Sequence, residues 1–179
     1  MNGLDEQLVK DLVTADNPRA LDVIYDTLGS RLYRHILGIM GSVADTEDVF
    51  QDLFIRLARN NQKLLKAHNM QAYLFAMARN QAWTAIRRRG QHTASIDNCL
   101  EPVAEENNPR SDSNQIGAAL RALKKLPLKQ RMIITMKCLE DMTFAEIAHS
   151  LNISINTAAS RYRYATAKLR KIMRFNSEE

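Results

Sequence analysis

The stretch TFAEIAHSLNISINTAASRYRYATAKLR, residues 143–170, decides the fold. Thr143 and Glu146 stand at the T-x-x-E spacing of a capping box, in which each side chain satisfies a backbone N–H left unpaired at a helix start. Phe144, Ile147, Ala148 and Leu151 then line one face, and Asn152 is a residue type that tolerates the left-handed conformation ending a helix. Ser154 can cap the next helix, where Ala158, Tyr162, Ala165, Leu169 and Ile172 recur at steps of four and three. A short capped helix, a tight turn and a longer helix with polar residues on its open faces predict a helix-turn-helix. Such a second helix fits the major groove, where Arg pairs with guanine and hydroxyls meet base edges or phosphates. The same pattern also fits a solvated helical hairpin, so the neighbouring sequence must choose.

Working outward, Leu128 to Leu139 reads as another helix, and Ile116, Ala119, Leu120 and Leu123 as the stripe of one ending at Leu126-Pro127. Upstream, GQHTASIDNCLEPVAEENNPRSDS (90–113) has two prolines, few apolar residues and no period, and reads as a linker. Before it, Leu21, Ile24, Tyr25, Leu28, Leu32, Ile36 and Met40 mark a helix from a cap at Asp16 to Gly41. A second helix is expected from Asp45, burying Val49, Leu53 and Leu57 and stopping at Asn60-Asn61, and a third from about Asn69 to Arg89. Leu4, Leu8 and Leu12 predict a short helix before Asp16. No strand-like alternation occurs, so the chain is expected to be all-α: two small helical domains, 1–90 and 114–179, on a flexible acidic linker, 91–113.

Charge divides the same way. Residues 1–90 carry 12 Lys/Arg against 10 Asp/Glu, residues 91–113 carry 1 against 5, and residues 114–179 carry 12 against 5. The basic third attracts polyanions, nucleic acid and acidic membranes alike. Cys99 and Cys138 form neither a disulfide framework nor a zinc signature. With no signal peptide and no apolar run of about 18 residues, a cytoplasmic setting without membrane insertion is expected. No cofactor or metal motif is present.

In the N-terminal half, DTEDVFQDLFIRLAR (45–59) sets Asp45, Glu47, Asp48, Gln51 and Asp52 beside its apolar stripe. Paired carboxylates can bind a metal or do acid–base work, but no histidine stands at ligand spacing, and a solvated face is the plainer reading. QAYLFAMARNQAWTAIRRR (71–89) interleaves Tyr73, Phe75 and Trp83 with Arg79, Asn80, Arg87, Arg88 and Arg89. Aromatics among cations suit stacking on unpaired bases, and equally suit core packing with a basic helix end.

These two stretches resemble the D-x-E-D-x-x-Q-[ED]-x-F and W-L-x-x-I-A-R-N-x-x-x-D-x-x-R-R signatures of bacterial sigma factors. LPLKQRMIITMKCLEDMTFAEIAHSLNISINTAASRYRYATAKLRK resembles the promoter-reading domain of the same proteins, in the extracytoplasmic-function (ECF) group of the sigma-70 family. The resemblance covers nearly the whole chain outside the linker. It implies a factor, not an enzyme, that binds core RNA polymerase through the largest-subunit clamp and the flap, and directs initiation at promoter DNA. On it, Asp48, Gln51, Asp52 and Ile55 contact polymerase. Lys63, Tyr73, Asn80, Trp83, Arg87 and Arg88 hold the melted minus-10 element, with Asn61–Met70 as the loop capturing a flipped base. Thr157, Ser160, Arg161, Arg163, Tyr164 and Lys168 meet the minus-35 element, and an anti-sigma factor is an implied partner.

Departures are Tyr73 for the usual Trp, Thr84 for Asp, Ala159 for a basic residue, and Asp141 and Asn152 where Gly is frequent. If the promoter elements lie about 25 base pairs apart, they are separated by roughly 85 Å. A free 23-residue linker averages about 27 Å and stretches to about 75–80 Å, so weak promoter binding is expected of the free chain. The acidic linker could lie in a basic nucleic-acid channel of the polymerase, or be a solvated spacer. The competing class is an autonomous helix-turn-helix regulator, expected to dimerise on palindromic half-sites.

Overall fold

In the computed structural model, residues 4–92 and 113–175 are described, and every regular element among them is helical. The N-terminal domain comprises α1 (Glu6–Thr14), α2 (Arg19–Met40), α3 (Val43–Arg59), a 3-10 helix over Asn61–Lys66, and α4 (Met70–His92). The C-terminal domain comprises α5 (Ser113–Lys124), α6 (Leu128–Leu139), α7 (Phe144–Leu151) and α8 (Ile155–Phe175).

The expected periodicities fold as read, with local differences. Val49, Leu53 and Leu57 of α3 and Ile24, Leu28, Leu32 and Ile36 of α2 are buried together with Leu74 and Ala78 of α4. Burial of each such large aliphatic side chain contributes about 1.5–3 kcal/mol. Asp16 does not cap α2: its own φ is +51°, and the Asn17 Oδ1 accepts from Arg19 N instead, one residue nearer the helix. α3 starts at Val43, two residues before Asp45. α1 buries Val9 and Val13 rather than Leu8, which is 44% exposed. The stretch 61–66, read as loop, is a 3-10 helix anchored by buried Leu64. α4 continues to His92, into the stretch read as linker, and 93–112 lie outside the described residues.

Capping chemistry fixes where the helices stand. Gly41 ends α2 with φ +69°, and its N–H donates to the Leu37 carbonyl at 2.7 Å. The Glu6 carboxylate accepts from Met70 N at 2.9 Å, so a residue of α1 caps α4. In α7 both arms of the Thr143/Glu146 capping box are made, and Asn152 closes the helix at φ +51°. Donation from the Thr143 hydroxyl and backbone N–H holds the Glu146 carboxyl below its usual range.

The two domains meet along α2 and α6. The α6 residue Met132 joins the N-terminal core, with Leu128 and Leu151 against it. At Gly38 a Cβ would stand 2.7 Å from Thr135 Cγ2, so only glycine allows the crossing as built. Beside it Arg131, 3% exposed, donates through Nη1 to the Ile39 carbonyl at 2.7 Å and through Nη2 towards the Lys124 and Leu126 carbonyls. Further along, Arg79 donates to Ser150 Oγ and lies 3.6 Å from Glu140, whose other oxygen is 3.3 Å from His35 Nδ1. Phe75 packs edge-on against His35. Phe75 and Arg79 thus leave the set read as base-stacking and backbone-gripping, because Phe75 is buried in the N-terminal core and Arg79 at the domain contact.

Candidate functional site

Three exposed surfaces carry the residues singled out in the sequence. On α3, Asp48, Gln51, Asp52 and Ile55 follow at steps of three, one and three, which puts them on one helix face. All four are exposed, Ile55 at 49%. The face opposes the buried Val49, Leu53 and Leu57 stripe, so its carboxylates take no part in the core.

On α4 the half-buried Tyr73 and Trp83 flank exposed Asn80, with exposed Arg87 one turn beyond Trp83. Arg88 is exposed on the side of Thr84, whose hydroxyl donates to the Asn80 carbonyl at 2.8 Å. Lys63 is exposed on the 3-10 helix. The base of α4's C-terminal half is held to α3 by an ion pair between Arg89 and Asp45. That pair raises the Arg89 pKa, chiefly through the hydrogen bond.

On α8 the structure sorts the expected residues into two rows. Asn156, Ser160, Arg163 and Ala167 recur at four, three and four residues, directly opposite the stripe containing buried Ala158 and Ala165. Thr157, Arg161, Tyr164 and Lys168 form the adjacent row, with Thr157 and Arg161 half-buried and Tyr164 65% exposed. Thr157 also closes the helix start, its N–H donating to Ser154 Oγ at 3.0 Å. Asn156 was missed in the sequence reading, although its place in the first turn of the second helix was signal enough.

Residues 24–92 match the family model for sigma-70 region 2, and residues 116–169 match that for sigma-70 region 4. The chain is 28% identical over 154 residues to the ECF RNA polymerase sigma factor SigE of Mycolicibacterium smegmatis, covering 83% of this chain and 60% of that relative. It is 23% identical to the ECF RNA polymerase sigma factor SigW of Bacillus subtilis over 97% of this chain and 99% of that one. The chain belongs to the sigma-70 family, in its ECF group.

Two solved structures share the fold of this sigma factor. One is the sigma factor RpoE in complex with the anti-sigma factor NepR from Bartonella quintana, with a TM-score of 0.62 and 20% identity over 80% of this chain and 89% of that one. The other is CnrH in complex with the cytosolic domain of CnrY, with a TM-score of 0.65 and 19% identity over 94% and 96%. The sigma-70 family acts in transcription initiation without catalysing a reaction. No cluster of three or more metal-ligating side chains occurs among the described residues of this factor. No described helix is long and apolar enough to cross a membrane.

A further surface of this sigma factor was not anticipated. Tyr25, Asp26, Gly29, Ser30, Tyr33, Arg34 and Phe50 line a groove of about 470 Å³ between α2 and α3. Its aromatic rings are mutually packed: Tyr25 against Phe50 and Phe54, and Tyr33 edge-on against Phe50 at 5.6 Å. Burial and the nearby Glu47 carboxylate raise the Tyr33 pKa, so its hydroxyl stays protonated as a donor. The signal for it was Tyr25, exposed at 55% on what the period marked as a core stripe.

Proposed function

We propose that this sigma factor binds core RNA polymerase through the α3 face of Asp48, Gln51, Asp52 and Ile55, and directs promoter-specific initiation. In this reading residues 1–90 form the polymerase-binding and minus-10 module, 91–113 the tether, and 114–179 the minus-35 module. Supporting it is the separation of the factor's acidic and basic surfaces on different helices: four exposed residues on one face of α3, two of them acids, and Arg161, Arg163 and Lys168 on the two rows of α8 that face away from the core. The acids would meet basic or polar groups of the clamp, and Ile55 would supply an apolar anchor at the centre of such a contact.

At the minus-35 element, Asn156, Ser160 and Arg163 would face base edges, Arg163 being able to pair bidentately with guanine. Thr157, Arg161, Tyr164 and Lys168, on the neighbouring row, would meet phosphates, which position without specifying. At the minus-10 element, Tyr73 and Trp83 would stack on unpaired bases beside Asn80, while Lys63, Arg87 and Arg88 neutralise the backbone. Melting is driven by this binding energy, since no bond is made or broken. The flap of the polymerase would engage the C-terminal module. The fold shared with RpoE, solved in complex with the anti-sigma factor NepR, supports an anti-sigma partner here as well.

The experiment is to mix the purified chain with core RNA polymerase and sequence the transcripts it initiates from a genomic library. Co-elution with core and a shared pair of upstream motifs are expected. Failure to bind core, together with dimerisation on symmetric operators, would make the chain an autonomous regulator instead.

A further inference from the structure

The outward row of α8 holds two side chains whose hydrogen-bonding groups are all unspent. The helix is fixed in rotation by Ala158 and Ala165, both fully buried, and by Tyr162, which packs edge-on against Phe144 of α7 at 5.5 Å. Seven residues make close to two helical turns, so Asn156 and Arg163 emerge along one line, about 10.5 Å apart, on the side away from that seam. Both are exposed.

The polar groups around them are engaged within the helix. Ser154 Oγ accepts from Thr157 N at 3.0 Å and pairs with the Thr157 hydroxyl at 2.8 Å, so the helix start is capped without Asn156. The Ser160 hydroxyl donates to the Thr157 carbonyl at 3.1 Å, and the Thr166 hydroxyl donates towards the Tyr162 and Arg163 carbonyls. Among the described residues, neither the Asn156 carboxamide nor the Arg163 guanidinium has a partner.

The two free groups differ in what they match. A carboxamide sets a donor beside an acceptor, which fits N7 and the N6 amino group of adenine; guanine presents two acceptors there and would leave the amide oxygen unpaired. A guanidinium sets two N–H groups side by side, which fits O6 and N7 of guanine and is opposed by the amino group of adenine. Ser160, with its proton engaged, accepts from either cytosine or adenine and discriminates less.

We propose that Asn156 is a specificity-determining residue of this factor, and that with Arg163 it sets a two-letter code in the upstream promoter element: one A·T pair and one G·C pair about two or three base-pair steps apart. The spacing follows from about 10.5 Å along α8 against about 3.4 Å per step, shortened because the groove slopes across the duplex axis. Asn156 lies outside the residues that the sigma-factor signatures assign to the minus-35 element. The proposal rests on the promoter-reading function argued above.

The test uses the full chain with core polymerase on a promoter that the pair transcribes, with its upstream element randomised. Transcripts made by the wild-type factor should be enriched for the A·T and G·C pairs at the stated spacing. Asn156→Ala should lose at least fivefold of the adenine preference, the lower end of what a bidentate pair supplies, and keep the guanine preference. Asn156→Arg should convert the adenine position into a second guanine position. Because residue 156 is exposed, circular dichroism of both variants should match the wild type.

An Asn156→Ala factor with every base preference unchanged overturns the proposal, as does one that loses initiation equally on all sequences, the mark of a phosphate contact. A wild-type code with the two pairs adjacent, or more than a few steps apart, overturns it as well. A wild-type chain that binds no core polymerase, or initiates nowhere, overturns the promoter-reading function itself.

Discussion

Glu140 and Arg79 face each other across the domain boundary with Oε2 and Nη1 3.6 Å apart, both almost wholly removed from solvent. On the other side of the same carboxylate lies His35, fully buried. Burial pushes Glu140 up to about 7 against the opposing pull of Arg79, and burial with the Arg79 charge pushes His35 down to about 3. His35 is accordingly neutral, and its contact with Glu140 is not an ion pair. Desolvation likewise lowers the Arg79 pKa, opposed by Glu140.

These two shifts oppose each other in the packing of the two domains, the closed form. Glu140, raised from 4.5, favours the closed form fully below about 4.5 and loses that contribution as pH rises through about 7. His35, depressed from 6.5, favours closure above 6.5 and loses that contribution as pH falls towards about 3. Between 6.5 and 4.5 one proton moves onto Glu140 in the closed form or onto His35 in the open form, and the slopes cancel. Scattering profiles of the wild-type chain should therefore change little over that window. In Glu140→Gln only the histidine dependence remains, so the radius should grow steadily as pH falls below 6.5. A flat profile for the variant would contradict this assignment.

Arg131 serves as a shared cap for the C-terminal ends of two helices, donating to Ile39 of α2 and to Lys124 of α5. Arg131→Met keeps much of the volume but strips those carbonyls of their donor, at a cost of about 2–3 kcal/mol. Arg131→Lys should rescue little of it, because one ammonium cannot reproduce the fork. Urea denaturation of the three chains reads the difference, and equal stability of all three would show that the carbonyls find other partners.

Thr143→Ala removes the hydroxyl that accepts from Glu146 N at 3.2 Å and donates to the Glu146 carboxylate. A loss of about 1 kcal/mol is expected for such a cap. The effect should be confined to the C-terminal domain, so amide exchange should accelerate in α7 with little change in α1. Uniform acceleration across both domains would argue against so local a role.

Arg163 and Lys168 should separate in DNA binding by holoenzyme. Arg163→Ala is expected to relax preference at one or two bases of the upstream element, costing about 1–3 kcal/mol there. Lys168→Ala, on the neighbouring row, should weaken all sequences alike and reduce the slope of log affinity against log salt by about one. Reversed behaviour would mean that α8 is rotated in the groove relative to its outward row.

Much of the fold was legible because each helix carries its own apolar period and end signals. The capping box at Thr143, the left-handed Asn152 and the stripe through Ala158 and Ala165 are local features, and local features survive folding unchanged. The domain contact was not legible. Gly38 looked like one small residue in a helix, and only the approach of Thr135, 97 positions away, gives it a purpose. Arg79 and Phe75 stood among aromatics and cations that pattern alike for stacking and for packing; tertiary contact with Glu140 and His35 decided between them. His35, set between Leu32 and Ile36 in an apolar stripe, was the one hint of a buried polar cluster. The face of Asp48, Gln51, Asp52 and Ile55 was readable from spacing, whereas the aromatic groove needed α2 and α3 side by side.

The carboxylate of Glu6 underpins the first turn of α4, 64 positions downstream. Trimming a few residues from the front of the chain, or fusing a bulky purification handle directly ahead of α1, would consequently be felt by the helix that carries Asn80 and Trp83. An assay of strand opening on such a preparation would report on the handle as much as on the protein.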